Sequence, residues 1–281
     1  MKATFSFGEN WHNYVKNVVD AAILEESKMS LLRYLPQSEF KEKIFIDVGC
    51  GSGLFSLSAL LLGSKKVVSF DYDRNSVAAA NYLRDKFSNI IPKDTQWDIS
   101  QGSILSEETI SSLPQQADIV YSWGVLHHTG NMWKAINNAL GLVGQDKYFI
   151  ISIYNKTPAS RFWLGVKQFY NRAPLFQPLL IAAYGFCFCL AHMIKNRTFN
   201  LRKERGMHVF YDVIDWLGGY PYEYAYPDEI KGFVENKGFK LIDMPTRFPR
   251  HTGKNSFFSR ISPANTGCNE FIFKRIKNGS S

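Results

Sequence analysis

The chain has 281 residues, 45% of them hydrophobic and 21% charged, and its formal net charge is +8. This length and composition suit a folded domain with a full core and exclude a disordered chain. The four cysteines show neither the C-x-x-C spacing of a zinc site nor the pattern of a disulfide framework, so we expect a reducing, cytoplasmic setting. The N-terminus, MKATFSFGEN, also lacks the apolar core of a secretory signal.

The first predicted elements are helical. Apolar side chains recur at near-helical spacing from Asn10 to Leu35, and Pro36 ends the pattern. One or two amphipathic helices are therefore expected, and they would form an N-terminal helical cap over residues 1–40.

The next stretch, IFIDVGCGSG from Ile44 to Gly53, predicts a strand, a glycine turn and the start of a helix. Because Gly49, Gly51 and Gly53 lack Cβ atoms, the backbone can approach a ligand closely, and the helix start leaves N–H donors free to bind it. A dinucleotide site has Gly or Ala where Leu54 stands, since a bulky residue there impedes packing of the helix on the strand. The pattern therefore disfavours a dinucleotide.

The pattern D-V-G-C-G-S-G is similar to the first motif of the class I S-adenosylmethionine-dependent methyltransferases, and the resemblance extends to about Phe273. It implies an α/β fold with a doubly wound, mostly parallel seven-stranded sheet, and S-adenosylmethionine as the cofactor. In this family, helices before the first strand cover the cofactor or line the acceptor site. For Trp11 and His12, simple packing on the sheet is an equal alternative.

A second strand, KKVVSFDYD, ends in acids. Asp71 lies about 20 residues beyond the glycines, where a carboxylate can accept both ribose hydroxyls of a nucleoside, and Asp73 is the reserve for that role. After the third strand, from Trp97 to Ile104, many methyltransferases place an acid against the adenine amino group, whereas this chain offers Ser103. The predicted cofactor contacts are Asp47, Gly49, Cys50, Gly51, Gly53, Asp71, Tyr72, Ser103 and Trp123.

The fourth strand and its loop, ADIVYSWGVLHHTG, resemble the D-x-V-x-S-x-x-V-L-x-H pattern of small-molecule methyltransferases. A histidine titrates in a range that suits proton removal from an acceptor, so we predict His128 as the catalytic base, with His127 as the alternative. If the backbone is extended there, only one of two adjacent side chains can face the pocket. The competing interpretation is that both merely cap or pack this loop. Asn131 is the predicted cap of the helix that follows.

Strands and helices alternate through the fifth strand, Lys147 to Asn155, which indicates parallel strands joined by crossover helices. Ligands are expected at the carboxyl ends of these strands, where the motifs and Tyr154 fall. The predicted core comprises residues 41–155 and 227–277, and its sixth and seventh strands, Phe239 to Pro245 and Asn269 to Ile276, can form an antiparallel hairpin.

Between these parts lies an insert, residues 156–226, where the alternation of strands and helices breaks. Nine lysines and arginines but a single acid lie from Lys156 to Arg205, so this segment carries the charge excess of the whole chain. The uninterrupted apolar run from Leu179 to Ala191 is short for a membrane-spanning helix. A buried lid, a dimer contact and a peripheral membrane contact through residues 156–205 are the alternatives.

The end of the insert is rich in aromatic residues and acids. If Tyr211 to Leu217 is helical, neighbours three and four apart lie near one face and can hold an acceptor by hydrogen bonds and stacking. The alternative is that the rings complete the hydrophobic core and the acids pair with the basic residues of the insert. The predicted acceptor contacts are Tyr154, His208, Tyr211, Asp212, Asp215 and Trp216.

The core of the chain most resembles the small-molecule O-methyltransferases of class I, including those of ubiquinone biosynthesis and polysaccharide clusters, whereas the insert and Gly218 to Tyr226 are particular to a subgroup. The resemblance implies transfer of a methyl group from S-adenosylmethionine to a hydroxyl oxygen of a small-molecule, glycan or lipid-linked acceptor, and the local charge of the insert is the reason for including a lipid-linked one. The expected location is the cytoplasm, with peripheral contact at the inner face of the membrane as the alternative. The alternatives are a quinone-pathway phenol O-methyltransferase and a non-catalytic S-adenosylmethionine-binding partner protein.

Two further ligand classes are disfavoured. Ser122 to Val125 stands where enzymes that methylate base amines have [N/D]-P-P-[Y/F], which argues against nucleic acid. The motif loops lack a carboxylate cluster of the kind that a divalent ion needs, so no metal is predicted. The sequence makes no prediction of the oligomeric state.

Overall fold

A computed structural model describes residues 8–196, 209–248 and 266–276. The strands of this part are β1 (Ile44–Val48), β2 (Lys66–Asp71), β3 (Gln96–Gln101), β4 (Ala117–Trp123), β5 (Val143–Tyr154), β6 (Phe239–Asp243) and β7 (Cys268–Arg275). Its α-helices are α1 (Gly8–Asn17), α2 (Ala21–Leu32), α3 (Leu54–Leu61), α4 (Arg74–Lys86), α5 (Glu107–Ser112), α6 (Met132–Gly141), α7 (Ser160–Arg172), α8 (Gln177–Asn196), α9 (Val209–Gly218) and α10 (Pro227–Glu235).

The strands form one sheet in the order β3-β2-β1-β4-β5-β7-β6. Strands β1 to β5 run parallel, and β7 lies antiparallel between β5 and β6. The predicted fold class, a doubly wound and mostly parallel seven-stranded sheet with N-terminal helices and a helical insert after the fifth strand, is therefore confirmed. The strand order reverses between β1 and β4, and such a switch point opens a crevice at the carboxyl ends of the strands.

Both faces of the sheet are buried, because successive residues of a strand point to opposite sides. Phe45 on β1 lies in a core cluster with side chains of α1 to α4, whereas its neighbour Ile46 lies in a second cluster with side chains of α6 and α10. Strands covered on both faces must be apolar almost throughout, as the central strands β1, β2 and β4 are, whereas the edge strands β3 and β6 are more polar and more exposed. The ends of the strands are then left as the open positions for a ligand.

Lys86 of α4 links that helix to the end of α1 by two hydrogen bonds. Lys86 Nζ donates to the carbonyl oxygens of Val15 and Val19, at 3.0 and 2.8 Å. Val15 lies in the last turns of α1, and Val19 follows the helix directly. Carbonyl groups at this end of a helix lack partners within the helix and carry the negative end of its dipole, so an ammonium group satisfies them well.

The insert leaves the sheet after β5 and returns beside it. Ala225 N donates to Tyr154 O and Lys156 N donates to Ala225 O, both at 3.1 Å, so the two ends of the insert lie side by side. Within the insert, α7 and α8 pack against Val213 and Leu217 of α9. The predicted domain boundaries remain predictions. Across the described ranges, no helix is long and apolar enough to cross a membrane.

The predicted N-cap residue of α6 is in place, but another residue supplies the capping hydrogen bond. Asn131 occupies the N-cap position, but its side chain makes no capping hydrogen bond. The Met132 N–H donates instead to both carboxylate oxygens of Glu223, each at 3.1 Å. A carboxylate suits the positive end of the helix dipole, although burial raises the pKa of Glu223. The cap comes from the far end of the insert, which no local sequence pattern reveals.

Candidate active site

The glycine turn between β1 and α3 is shaped by packing. Gly49, Gly51 and Gly53 all have positive φ, at 75°, 53° and 78°, which favours glycine at each position. A Cβ atom on Gly49 would stand 2.3 Å from a methyl carbon of Val125, and one on Gly53 would stand 2.9 Å from the Cβ of Ala80. Two of the three glycines are therefore required by protein neighbours, which press the turn into a fixed shape.

Gly51 faces a different neighbour. A Cβ atom there would lie 3.1 Å from the indole nitrogen of Trp11, so helix α1 reaches over the glycine turn. Trp11 is half-buried and stands edge-on to Tyr14, with 5.6 Å between the ring centroids. Of the two roles foreseen for the N-terminal helices, this position fits a cover over the cofactor site.

Asp71, at the end of β2, is held against the same turn. Its Oδ2 accepts from Gly51 N at 3.0 Å, and its Oδ1 accepts from Asp73 N at 2.9 Å. A carboxylate has about four lone-pair positions, so Asp71 can still accept a further hydrogen bond, such as that of a ribose hydroxyl. Burial raises the Asp71 pKa to about 6, and the backbone donors of Asp73, Gly51 and Tyr72 oppose that rise.

Asp47, on β1, is a second buried carboxylate beside the turn. It accepts from Ser56 Oγ at 2.5 Å, and Ser69 Oγ donates to Ser56 in turn at 2.8 Å. Burial raises its pKa to about 7, and the charge of Asp71 adds to the rise. The same burial and the same two acids raise the pKa of the Cys50 thiol, which therefore stays protonated. The backbone of Cys50 is itself engaged, because its N–H donates to Phe70 O at 3.1 Å and its carbonyl oxygen accepts from Gly53 N at 2.8 Å.

This pair of carboxylates fits S-adenosylmethionine, whose sulfonium and ammonium groups are cationic. A cation beside Asp47 and Asp71 favours their ionised forms and offsets the cost of burying them. The start of α3 adds backbone amides beyond the turn, and Asp71 stays the predicted ribose contact. The residues present therefore suit the donor-site ligand that the sequence predicts.

Tyr72 and Ser103 stay predictions as cofactor contacts, and both have groups that could meet an adenine. Tyr72 follows Asp71 directly and is 70% exposed, which leaves its ring free to stack on a base. Ser103 Oγ accepts from Leu105 N at 3.2 Å, so its hydroxyl hydrogen can still be donated to a ring nitrogen. Both residues lie at the ends of neighbouring strands, as predicted for cofactor contacts.

Trp123 is engaged elsewhere through its indole nitrogen. Trp123 Nε1 donates to Glu270 Oε1 at 2.8 Å, and the Tyr34 hydroxyl donates to the same oxygen at 2.7 Å. Thr246 Oγ1 donates to the other oxygen at 2.8 Å. Any contact of Trp123 with the cofactor is therefore left to its ring. Sequence reasoning missed Glu270, although a charged residue within the apolar strand CNEFIFKR was a signal.

His127 and His128 lie on a 3₁₀ turn after β4, so the extended backbone assumed for them is wrong. Because the chain turns there, both rings approach Tyr154, with centroid distances of 4.1 Å for His127 and 5.5 Å for His128. His127 is fully buried, and within the described residues neither of its ring nitrogens makes a hydrogen bond of normal geometry. The adjacency that seemed to exclude one histidine from the pocket does not do so.

His128 has a fixed orientation. Its Nδ1 lies 2.6 Å from the carbonyl oxygen of Pro221, which can only accept, so we assign the ring hydrogen to Nδ1 and the lone pair to Nε2. Burial, followed by the charge of Lys167, lowers the His128 pKa to about 3. Burial likewise lowers the pKa of His127 well below its ordinary range. Both histidines are therefore neutral at physiological pH.

Lys167 of α7 completes this cluster and was missed as a site residue. Its side chain is fully buried, and Nζ lies 4.2 Å from the ring centroid of Trp216, 4.9 Å from that of Tyr222 and 5.9 Å from that of Tyr154. It also donates to the carbonyl oxygen of Trp216. The signal was its spacing, since Trp163 and Tyr170 lie four before and three after it on the same buried face.

The structure brings two of the predicted acceptor contacts together and does not test the roles of the others. Tyr154 and Trp216 stand 5.4 Å apart between ring centroids, so these two predicted contacts lie in one cluster of packed rings. Tyr211, Asp212 and Asp215 fall on α9, as the predicted helix requires, and their roles stay predictions. His208 lies outside the described residues. Over those residues, no group of three or more His, Cys, Asp or Glu could hold a metal ion.

Sequence comparison relates the first half of the chain to one family. Residues 26–151 match the family model described as Ribosomal protein L11 methyltransferase (PrmA). The ribosomal protein L11 methyltransferase of Acinetobacter baumannii (strain AYE) is 30% identical over 127 residues, covering 41% of this chain and 42% of that protein. That of Colwellia psychrerythraea is 29% identical over 123 residues, again covering 41% and 42%. The chain thus spans less than half the length of these relatives.

Solved structures share the fold over most of the chain. Magnesium protoporphyrin IX methyltransferase from Synechocystis PCC 6803 superposes with a TM-score of 0.52 at 15% identity, covering 95% of this chain and 93% of that one. A putative S-adenosylmethionine-dependent methyltransferase from Listeria monocytogenes superposes with a TM-score of 0.51 at 13% identity, covering 90% and 99%. At such identities the likeness shows the fold alone.

The chain has the fold of the class I S-adenosylmethionine-dependent methyltransferases, as the sequence predicts. Residues 26–151 match a methyltransferase family model, which supports S-adenosylmethionine as the cofactor. The family match ends within β5, so it includes His127 and His128 but stops before the insert that carries Lys167 and Trp216.

Proposed function

We propose that this protein transfers a methyl group from S-adenosylmethionine to a hydroxyl oxygen of a small-molecule, glycan or lipid-linked acceptor. The observation that carries the proposal is the state of the histidines: His128 is neutral, fixed through Nδ1 to Pro221, and carries its lone pair on Nε2 in an aromatic pocket. A base of this kind discriminates between acceptor atoms.

The low pKa of His128 supports oxygen over nitrogen as the acceptor atom. A hydroxyl oxygen becomes strongly acidic as it is methylated, so even a base with a pKa of about 3 can take its proton. A lysine side chain is an ammonium group with a pKa of about 10.4 and must lose a proton before it can attack. A weak, buried base beside Lys167 does not favour that loss.

S-adenosylmethionine, when bound, supplies the methyl group as an electrophile on a sulfonium sulfur. Asp71 would hold the ribose, and the glycine turn would fix the donor relative to the carboxyl ends of β4 and β5. The rings of Tyr154 and Trp216 would exclude water from the acceptor side. Alignment of donor and acceptor is worth roughly 7–11 kcal/mol, and a positioned base adds about 10²- to 10⁴-fold in rate.

A protein acceptor is the second candidate, because the curated relatives are named ribosomal protein L11 methyltransferases. Their likeness to this chain stops at the methyltransferase domain and leaves residues 152–226 unmatched. His128 lies within the matched range, whereas Lys167, Trp216 and Pro221 lie outside it. The pocket that would choose the acceptor is thus largely this chain's own, which favours an acceptor other than that of the relatives.

The variant His128→Asn tests the proposed base, since an asparagine amide can still donate to Pro221 O but offers nothing in place of Nε2. We expect kcat to fall about 10²- to 10⁴-fold while calorimetry shows unchanged affinity for S-adenosylmethionine. A phenolic acceptor of the quinone pathway, with a pKa near 10, would depend less on the base and show a smaller fall.

The acceptor itself is identified by mass spectrometry of lipid and glycan extracts from cells with and without the protein. An added methyl group on a hydroxyl of an extracted compound supports the proposal. Methylation confined to purified protein L11 would overturn the hydroxyl acceptor. If neither S-adenosylmethionine nor S-adenosylhomocysteine gives heat of binding, the methyltransferase proposal fails, whereas binding without turnover on any extract would point to a non-catalytic partner protein.

A further inference from the structure

The first helix of the insert is apolar on two opposite sides. Its inner side carries the buried residues Trp163, Lys167 and Tyr170. On its outer side, Phe162 is 46% exposed and Phe169 is 48% exposed, although they lie on a helix where solvent-facing positions are normally polar. The inner side accounts for most of the packing of α7, although the Phe162 ring also stands edge-on to Trp163, with 5.4 Å between the centroids.

The same arrangement continues into α8. Leu180 and Ile181 face the cluster around Val213, whereas Leu179 is 66% exposed and Phe186 is 71% exposed. In the turn between the helices Leu175 is 93% exposed and Phe176 is 50% exposed. The Phe169 and Phe176 rings lie 5.7 Å apart, which joins the two helices into one surface. We name this surface the apolar ridge: Phe162, Phe169, Leu175, Phe176, Leu179 and Phe186.

The charge around the apolar ridge limits the class of partner that can bind it. No aspartate or glutamate occurs in the sequence from Lys147 to Lys203, while Arg161 and Arg172, at the two ends of α7, are exposed. Exposed apolar groups among lysines and arginines are the signature of a surface that lies in the interface of an anionic membrane. In the described ranges no helix could cross a membrane, so contact at the surface is the appropriate geometry.

The charge also argues against the two other occupants. In a symmetric dimer the same patch meets itself, so a basic ridge would oppose like charges without acids to answer them. A nucleic acid would use the basic residues but has no use for the most exposed aliphatic side chains, Leu175 and Leu179. An anionic bilayer satisfies both features of the ridge at once.

We propose that the apolar ridge docks this protein onto the surface of an anionic membrane. The outer side chains enter the boundary between headgroups and acyl chains, and the flanking arginines bind lipid phosphates. This docking does not rest on the proposed methyl transfer, because it needs neither cofactor nor acceptor. It places the insert that lines the acceptor pocket at the lipid surface.

The test is sedimentation of the full chain with vesicles of phosphatidylcholine alone and of phosphatidylcholine mixed with phosphatidylglycerol. We expect binding to the anionic vesicles at low salt and weaker binding at high salt, because screening shortens the reach of the charges. The double variant Leu175→Glu, Leu179→Glu should reduce partitioning on the order of tenfold or more. It removes apolar side chains that the bilayer would bury, and it adds negative charge that the anionic lipids repel. The matched control is Met29→Glu, which alters an exposed apolar residue of α2 and should bind as the unchanged protein does.

Several results would overturn this assignment. They are no sedimentation at low salt, equal binding to neutral and anionic vesicles, and equal binding of the double variant and the unchanged protein. A dimer in light scattering that the double variant disperses, without vesicle binding by either protein, would assign the ridge to a second copy instead. Thermal melting followed by circular dichroism shows that each variant is folded. Heat of binding with S-adenosylmethionine, measured separately, keeps failure of docking distinct from failure of the proposed methyl transfer.

Discussion

Two carboxylates with raised pKa values define the donor site at the scale of single residues. Asp71 is fixed by Gly51 N and Asp73 N, and Asp47 is fixed by Ser56 Oγ. Burying two acids close together costs free energy in the absence of a cation, because each disfavours ionisation of the other. A cationic ligand removes that cost, so the site is arranged for binding and not for maximal stability.

The variant Asp71→Ala is expected to weaken binding of S-adenosylmethionine about 10- to 100-fold in calorimetry, because charge-assisted hydrogen bonds contribute roughly 1.5–3 kcal/mol. The matched control is Asp73→Ala. Asp73 caps α4 by accepting from Asn75 N at 2.9 Å, so its loss should lower the free energy of unfolding by about 1 kcal/mol and leave affinity unchanged. Equal affinity of the Asp71→Ala variant and the unchanged protein would refute the ribose assignment.

The variant His127→Phe should alter the pH dependence of stability. The native state lowers the pKa of His127, whereas the unfolded chain protonates it near the ordinary value of about 6.5. The neutral native histidine therefore favours folding above that pH, and the unchanged protein loses this stability as the pH falls below it, by up to about 1.4 kcal/mol per pH unit. Asp47 and Asp71 contribute with the opposite sign, but they are present in both proteins.

Urea unfolding between about pH 5 and 6.5 measures the effect, since the free energy of unfolding should fall less steeply in the variant by up to about 1.4 kcal/mol per unit. Parallel slopes for the two proteins would mean that His127 takes up its proton in the native state. Phenylalanine keeps an aromatic ring against Tyr154, so the comparison is of charge and not of packing.

At the scale of elements, the glycine turn depends on its neighbours as much as on its φ angles. Gly53 opens α3 with φ of 78°, and Gly238 before β6 has φ of 83°, but a Cβ on Gly238 would meet nothing within 4 Å. Both Gly→Ala variants should lower the free energy of unfolding by about 1–2 kcal/mol, because alanine disfavours the left-handed backbone conformation at each position. Gly53→Ala should lose a further 1–3 kcal/mol, approximately, by overpacking against Ala80.

Urea unfolding of the two variants, with calorimetry of cofactor binding, checks this difference. We expect Gly238→Ala to bind S-adenosylmethionine normally and Gly53→Ala to bind it more weakly, because the shift must move either the turn or α4. Equal losses of stability in both variants would show that the turn can relax away from Ala80.

The sequence predicts the elements of the core well, because their signals are local. Apolar runs, glycines and strand-end acids occur within β1, β2 and β4 and need no distant partner to be recognised. Strand β5 begins at Val143, four residues before the predicted start, because Val143 pairs with Ala117 across the sheet. That pairing is invisible in a pattern of apolar residues.

Site features that depend on distant contacts were not predictable. The Glu223 cap joins residues 91 positions apart, and the bond from Tyr34 to Glu270 joins residues 236 positions apart. The 3₁₀ turn that brings both histidines to Tyr154 follows a short irregular loop with no periodicity. Residue types at the site could therefore be proposed from sequence, whereas their partners required the fold.

At the scale of the whole molecule, the proposed donor site lies in the matched range, whereas the proposed acceptor side draws on both the matched range and the insert. The matched domain, residues 26–151, contains the glycine turn, Asp71 and the two histidines. The insert brings Lys167 and Trp216 to the same pocket and carries the apolar ridge on its outer side. One inserted segment thus contributes both to the acceptor pocket and to the proposed membrane contact, which favours an acceptor that is itself found at the lipid surface.

The position of helix α1 has a kinetic consequence. Trp11 lies over Gly51, and α1 also packs against α9, which carries predicted acceptor contacts. If the donor must pass Trp11, each exchange of spent for fresh cofactor requires α1 to move away and to break the two hydrogen bonds from Lys86. The same movement withdraws a neighbour from α9, so the acceptor pocket loosens whenever the donor site opens. Under that condition, release of the two products of the proposed reaction would be coupled through one helix, and turnover would be set by how often that helix detaches.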